Sequence, residues 1–131
     1  MRQEHDSLGS IEVPVKALWG AQTQRSLKNF AIGEERIPLA LIYSLVNIKK
    51  AAASVNQKLD VIDTQKANLI IQASNEILTG SHDTQFPLSI WQTGSGTQTN
   101  MNINEVISNI ASKRVGSPLG SHQPLHPNDH V

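Results

Sequence analysis

The apolar residues Leu41, Leu45, Ile48, Ala52, Val55 and Leu59 recur at spacings of four and three. That repeat places side chains on one face of a helix. It predicts a first long helix from about Pro38 to Leu59, with the proline tolerated in the first turn. Ile42 and Val46 broaden the stripe, so more than one neighbour is expected to pack there. Lys49, Lys50, Gln57 and Lys58 lie mostly off the stripe, and the lysine pair reads as a solvated face.

A second helix is expected after Asp63, a residue type suited to the N-cap. Ala67, Ile70, Ile71, Ala73, Ile77 and Leu78 give it an apolar face, and Gly80 stands where a left-handed C-terminal residue belongs. Pro87 forbids a long helix between Ser81 and about Thr93. Met101, Val106, Ile107, Ile110, Ala111 and Val115 then mark a third helix, from near Thr97 or Gln98 to just before Gly116. Residues 1–36 read as irregular, punctuated by Gly9, Pro14, Gly20 and Gly33, with a short strand at Ser10 to Val13 and a short helix from Gln22 to Phe30. Ser117 to Val131 reads as loop. The fold class is therefore mainly α: about three main helices, an irregular N-terminal segment and little strand.

At 131 residues the chain has the size of one domain. Only 4% is aromatic, so the core must come from Leu, Ile, Val and Ala. Eleven basic residues balance eleven acidic ones, which argues against an electrostatic nucleic-acid binder. There is no apolar run of membrane-spanning length. The polar start, Met1 to Asp6, resembles neither a secretory signal nor a transit peptide. With no cysteine, disulfides and thiolate metal sites are excluded, in keeping with a cytosol.

Chemistry concentrates in Trp91-Gln92-Thr93-Gly94-Ser95-Gly96-Thr97-Gln98-Thr99-Asn100-Met101-Asn102-Ile103-Asn104-Glu105. Gly94 and Gly96 allow tight backbone and close approach of a ligand. Ser95 and Thr97 add hydroxyl donors. The loop runs into a helix N-terminus, whose unpaired N–H groups and dipole suit a phosphate or a carboxylate. Simple capping by Ser95 or Thr97 explains the same residues, and the two roles can coexist. Asn102 and Asn104 are read as helix-surface or inter-subunit hydrogen-bonding groups, and Asn100 is left between the two roles.

Other constellations are weaker. His126-Pro127-Asn128-Asp129 is an acid/base pair (His126 with Asp129), half a metal site or a polar turn. His122, His126, Asp129 and His130 have the donor types for zinc or nickel, but no supporting pattern surrounds them, and no metal is expected. Ser95 with His82 and Asp83 suggests a nucleophilic triad only superficially, because Gly94-Ser95-Gly96 is not the Gly-x-Ser-x-Gly elbow. No Gly-Lys-Ser/Thr follows to make a phosphate loop. Arg25 either clamps a ligand carboxylate or forms a salt bridge. Trp19 and Trp91 are expected as apolar anchors beside the polar motifs.

The Trp91 to Gln98 run closely resembles the class II fumarases of the fumarase/aspartase superfamily. Leu18-Trp19-Gly20-Ala21-Gln22-Thr23-Gln24-Arg25-Ser26, Asp6-Ser7-Leu8-Gly9 with Val13-Pro14, and His126-Pro127-Asn128-Asp129 resemble further family segments, in the same order. The resemblance covers essentially the whole chain and implies the N-terminal domain (1–131) of a fumarate hydratase, with the central helical bundle and C-terminal domain absent. It implies reversible hydration of fumarate to L-malate by a homotetramer, without a cofactor. The starting Met and the lack of a presequence point to the cytoplasm, with the mitochondrial matrix as the alternative. Ser95, Gly96 and Thr97 are then substrate-binding. His126, Pro127, Asn128 and Asp129 form a secondary dicarboxylate site, although His122 stands near the place where fumarases often carry a basic residue. No catalytic residue is expected in this stretch, so it should be inactive alone. Aspartase is the alternative enzyme, and a helical interaction module the alternative outside catalysis.

Overall fold

The computed structural model describes residues 1–131. Two strands, β1 (Arg2–Asp6) and β2 (Gly9–Val13), form an antiparallel hairpin with Arg2 opposite Val13 and Asp6 opposite Gly9. Four helices follow: α1 (Ala21–Asn29), α2 (Leu39–Lys58), α3 (Thr64–Leu78) and α4 (Thr97–Val115). A single 3₁₀ turn, Asp83–Gln85, interrupts the connection between α3 and α4.

The mainly α expectation holds, and all three long helices lie within two residues of their expected bounds. The N-terminal segment is more ordered than expected. β1 is a strand of five residues with no apolar alternation, Arg-Gln-Glu-His-Asp, so it carries no pattern that reads as half-buried. Its Glu4 points inward and is 3% exposed. Asp63 caps α3 as expected, accepting from Lys66 N–H at 2.8 Å. Gly80 and Gly116 take the left-handed conformations that stop α3 and α4 (φ +86° and +78°).

The core joins α2, α3 and α4. Ile42 and Val46 of α2 meet Ile70 and Ile77 of α3 and Ile103, Val106 and Ile107 of α4, with Leu18, Phe86 and Leu125 closing it from the connections. This corrects the reading of α2. Its buried line is Ile42, Val46 and Ala53, one residue on from the Leu41–Leu59 stripe. Leu41, Ile48, Val55 and Leu59 are 48–66% exposed. One residue is about 100° of helix rotation, so α3 and α4 dock on the flank of the stripe and leave its centre open.

The loop from Ser117 to Val131 is held on α4 by side chains. Ser108 Oγ donates to Leu125 O and Ser112 Oγ to Gln123 O, each at 2.6 Å, and Asn109 Oδ1 accepts from Gly120 N–H at 2.8 Å. Asn109 Nδ2 also donates to Leu18 O at 2.8 Å, tying the segment before α1 to the same helix. These bonds place the hairpin, α1 and the C-terminal loop around one face of α4.

Candidate functional site

On that face lies a cleft of about 560 Å³. One wall is α4, which presents Thr97, Met101 and Glu105 at intervals of four, hence on one side of the helix. Ala21 and Gln22 of α1 form the second wall. His5 and Asp6 at the end of β1, Ser7 of the hairpin turn, and His122, His126, Pro127 and Asn128 of the C-terminal loop complete it. The fold therefore brings together two segments that are some thirty residues apart in sequence, the Gly-Thr loop and the His-Pro-Asn turn.

The Gly-Thr loop is stabilised by its own small polar groups. Thr93 N–H and hydroxyl reach Gln98 Oε1 at 3.1 and 3.2 Å, Ser95 Oγ bonds Thr97 Oγ1 at 3.2 Å, and Thr97 N–H donates to Ser95 Oγ at 3.3 Å. Gly96 is the N-cap residue of α4, in a left-handed conformation (φ +78°), and no side chain caps the helix. Neither Ser95 nor Thr97 is thus the conventional cap that would accept from the second or third helical N–H. The positive end of α4 stays exposed beside two hydroxyls. Thr97 reaches the cleft, whereas Ser95 and Gly96 sit exposed on the adjoining loop.

The His126–Asp129 segment is a turn held by imidazole. His126 Nδ1 accepts from Asn128 and Asp129 N–H at 3.1 and 3.3 Å, and His130 Nδ1 accepts from His126 N–H at 2.9 Å. Those ring nitrogens are spent on backbone. His126, Pro127 and Asn128 line the cleft, and Asp129 lies outside its lining. No group of three or more His, Asp or Glu side chains is arranged to hold a metal ion. His122 stacks edge-on against His126, ring centres 4.7 Å apart. Burial, then the neighbouring His126, pushes the His122 pKa down, against the pull of Glu4 and Asp129. Burial therefore disfavours the charged form of this imidazole.

Several expectations resolve to structure. Arg25 forms a two-pronged salt bridge with Asp6 (2.7 and 2.8 Å) and also reaches Gly9 O. The Arg25 guanidinium holds the Asp6 carboxyl below its usual range. His82 bonds Glu76 at 2.7 Å and Asp83 bonds Tyr43, so neither approaches Ser95 as a triad would require. Trp19 packs against the core, but Trp91 is 53% exposed and donates to Glu35 at 3.2 Å, so it is no buried anchor. Lys49 is half-buried and donates to Val131 O at 3.2 Å, unlike a freely solvated lysine.

Asn102 and Asn104 are not on the surface: they are 1% and 3% exposed. Asn102 Nδ2 donates to Gln85 O at 3.0 Å, within the chain. The side-chain oxygens of both asparagines have no partner.

The residue that the sequence reading passed over is Glu105. It is 4% exposed and accepts from the backbone N–H groups of Gly20, Gln22 and Thr23 at 2.5, 2.7 and 3.2 Å. Glu4 accepts from Ala21 N–H at 3.0 Å. Two carboxyl groups thus satisfy the first turn of α1, whose N–H groups have no partner within the helix. Arg2 holds Glu4 at 2.6 Å and donates to the carbonyls of Pro14, Ala17 and Trp19. Burial lifts the Glu105 carboxyl to about 7 against these N–H donors. A signal was present in the sequence: Glu105 is the one charged residue between Trp91 and Ser112, set among apolar helical positions.

Comparisons with known proteins place the sequence and the fold. A family model described as "Lyase" matches residues 9–131. The fumarate hydratase class II of a Prochlorococcus marinus strain is 68% identical over 99% of this chain, and that of Pseudomonas aeruginosa, fumarate hydratase class II 1, is 62% identical over the same share. The crystal structure of a class II fumarase from Schistosoma mansoni superposes with a TM-score of 0.94 at 49% identity, covering 98% of this chain and 27% of that one. The chain spans 28% of the length of these curated relatives. The match of the lyase model along nearly the whole sequence, on a fold shared with a solved fumarase, shows that this chain belongs to the lyase family.

Proposed function

We propose that this chain is the N-terminal part of a class II fumarate hydratase, which reversibly adds water across fumarate to give L-malate, a step of the tricarboxylic acid cycle. One observation carries the reading. The uncapped N-terminus of α4, with Ser95 and Thr97 beside it, adjoins a cleft that the His126–Asn128 turn also lines, in a stretch 68% identical to a relative named for this activity. N–H groups and hydroxyls at a helix N-terminus bind and orient a carboxylate without a buried counter-charge. Ser95, Gly96 and Thr97 are the substrate-binding segment. His126, Pro127, Asn128 and Asp129 form a secondary dicarboxylate site, with no lysine or arginine among the four residues before it. The relatives' greater length supports completion of the site by segments outside this one and inactivity of this stretch alone; the whole enzyme is read as a cytoplasmic homotetramer.

The test is hydration of fumarate, followed by its ultraviolet absorbance, in the full-length protein and in its Thr97→Ala variant. Loss of a hydrogen bond to a charged ligand should lower kcat/KM about 10- to 100-fold. A wild-type protein that leaves fumarate unchanged would refute the reading, as would a Thr97→Ala variant of unaltered kcat/KM for its substrate role.

A further inference from the structure

The two helix N-termini beside the cleft are in opposite states. That of α4 has no side-chain cap. That of α1 is filled: Glu105 takes three of its N–H groups and Glu4 the fourth. Glu105 uses both oxygens, Oε2 for Gly20 and Thr23 and Oε1 for Gln22. The space is shaped for this. A Cβ on Gly20 would stand 2.8 Å from Glu4 Oε2 and 3.0 Å from Glu105 Cδ. Gly120, at φ +79°, is likewise bare where a Cβ would stand 2.7 Å from the Glu4 carboxyl.

Glu105 also stands two helical turns after Thr97 on the same side of α4, and both line the cleft. The wall opposite is the first turn of α1, through Ala21 and Gln22. Without Glu105, α1 would present three free N–H groups and a positive dipole to the space that receives a ligand carboxylate, a rival to the end of α4. The two walls would also lose their direct tie.

We propose that Glu105 is a positioning residue for dicarboxylate binding: it closes the N-terminus of α1 to anions, so that the ligand carboxylate is directed to the N-terminus of α4, and it fixes the spacing of the two walls. This rests on the dicarboxylate reading above. Glu105 touches no reacting atom in this role, so it acts on binding before chemistry.

The test uses the full-length protein at pH 8, with fumarate as substrate and acetate as an anion probe. Glu105→Gln keeps the size but replaces one accepting oxygen with a donor. It should raise KM about 10-fold and change kcat less than about 3-fold. Glu105→Asp, which keeps both oxygens, should recover most of the loss. In Glu105→Ala, acetate should fill the vacated N-terminus, raising the melting temperature by a few degrees and lowering KM, with a smaller response in wild type. An unaltered KM in Glu105→Gln overturns the proposal, as does a fall in kcat at constant KM. An equal acetate response in Glu105→Ala and wild type also overturns it. Should Glu105→Ala not fold, the Gln and Asp variants decide by the KM comparison. Absence of turnover in wild type refutes the hydratase reading instead, and the acetate response still decides whether Glu105 closes α1.

Discussion

α2 and α4 are nearly equal in length, 20 and 19 residues, and their sequences suggest opposite fates. α2 carries the clean apolar stripe, yet only Ile42, Val46 and Ala53 are buried. α4 is rich in Asn, Ser and Thr, yet twelve of its residues are buried. The difference lies in what surrounds each helix. α4 is flanked by α1, α2, α3 and the C-terminal loop, and most of its buried polar side chains find a backbone partner in the connections: Asn102 at Gln85, Ser108 at Leu125, Asn109 at Leu18 and Gly120, Ser112 at Gln123. Buried polar groups are tolerated when they are paired in this way. A helix that organises loops therefore looks polar in sequence, and a helix with one open side looks apolar.

The largest expected effect comes from the apolar floor of α4. Ile107 is fully buried between α4 and its neighbours. Ile107→Ala should cost about 2–5 kcal/mol, through lost burial and the cavity left behind. Urea denaturation of this chain measures it. A loss below about 1 kcal/mol would mean that α4 is not the centre of the core.

A second effect sharpens the comparison on the polar side. The Glu105 carboxyl is raised by burial from 4.5 to about 7. The folded chain then holds a proton that the unfolded chain has released, so stability is full below pH 4.5 and declines as pH rises towards 7. The decline is on the order of 3 kcal/mol. Asp6 has the opposite sign: its carboxyl is lowered, chiefly by Arg25, and its contribution is lost only as pH falls below the usual value of 3.8. Denaturation midpoints from pH 4 to 8 should fall with rising pH in wild type, with the lowered His122 opposing part of the fall, and should lose that fall in Glu105→Gln. A rise across that window would contradict the burial argument.

How much of this was readable depends on the kind of signal. Helix bounds rest on local rules: Asp63 as a cap, Gly80 and Gly116 as stops, Pro87 as a breaker. Each acts within a few residues, and each shows in the sequence. The Thr97 and His126 segments were legible as chemistry, because their residue types are unusual for plain loops. Which face of α2 is buried was not legible, since neighbouring rotations share almost the same apolar residues and the choice is made by α3 and α4. The hairpin strand β1 was missed because its inward residue is Glu4, a charge satisfied by Arg2 and by the N-terminus of α1. The pairing of Glu105 with Gly20, 85 residues away, has no local trace beyond a lone charge in a neutral run.

The smallest expected effect tests the open side of α2. Ile48 and Val55 are 61% and 52% exposed and stand seven residues apart on the stripe. Their replacement by glutamine removes little buried area, and glutamine is a good helix former. Each change should stay within about 0.5 kcal/mol in this chain. Two surface sites without shared partners should also add, so the double variant should lose less than about 1 kcal/mol. The same pair in the full-length protein gives the contrast. An equal, small loss there would mean that the stripe faces water in both. A loss several times larger would mean that the rest of the molecule covers it, and that α2, like α4, has its sequence set by what packs on it.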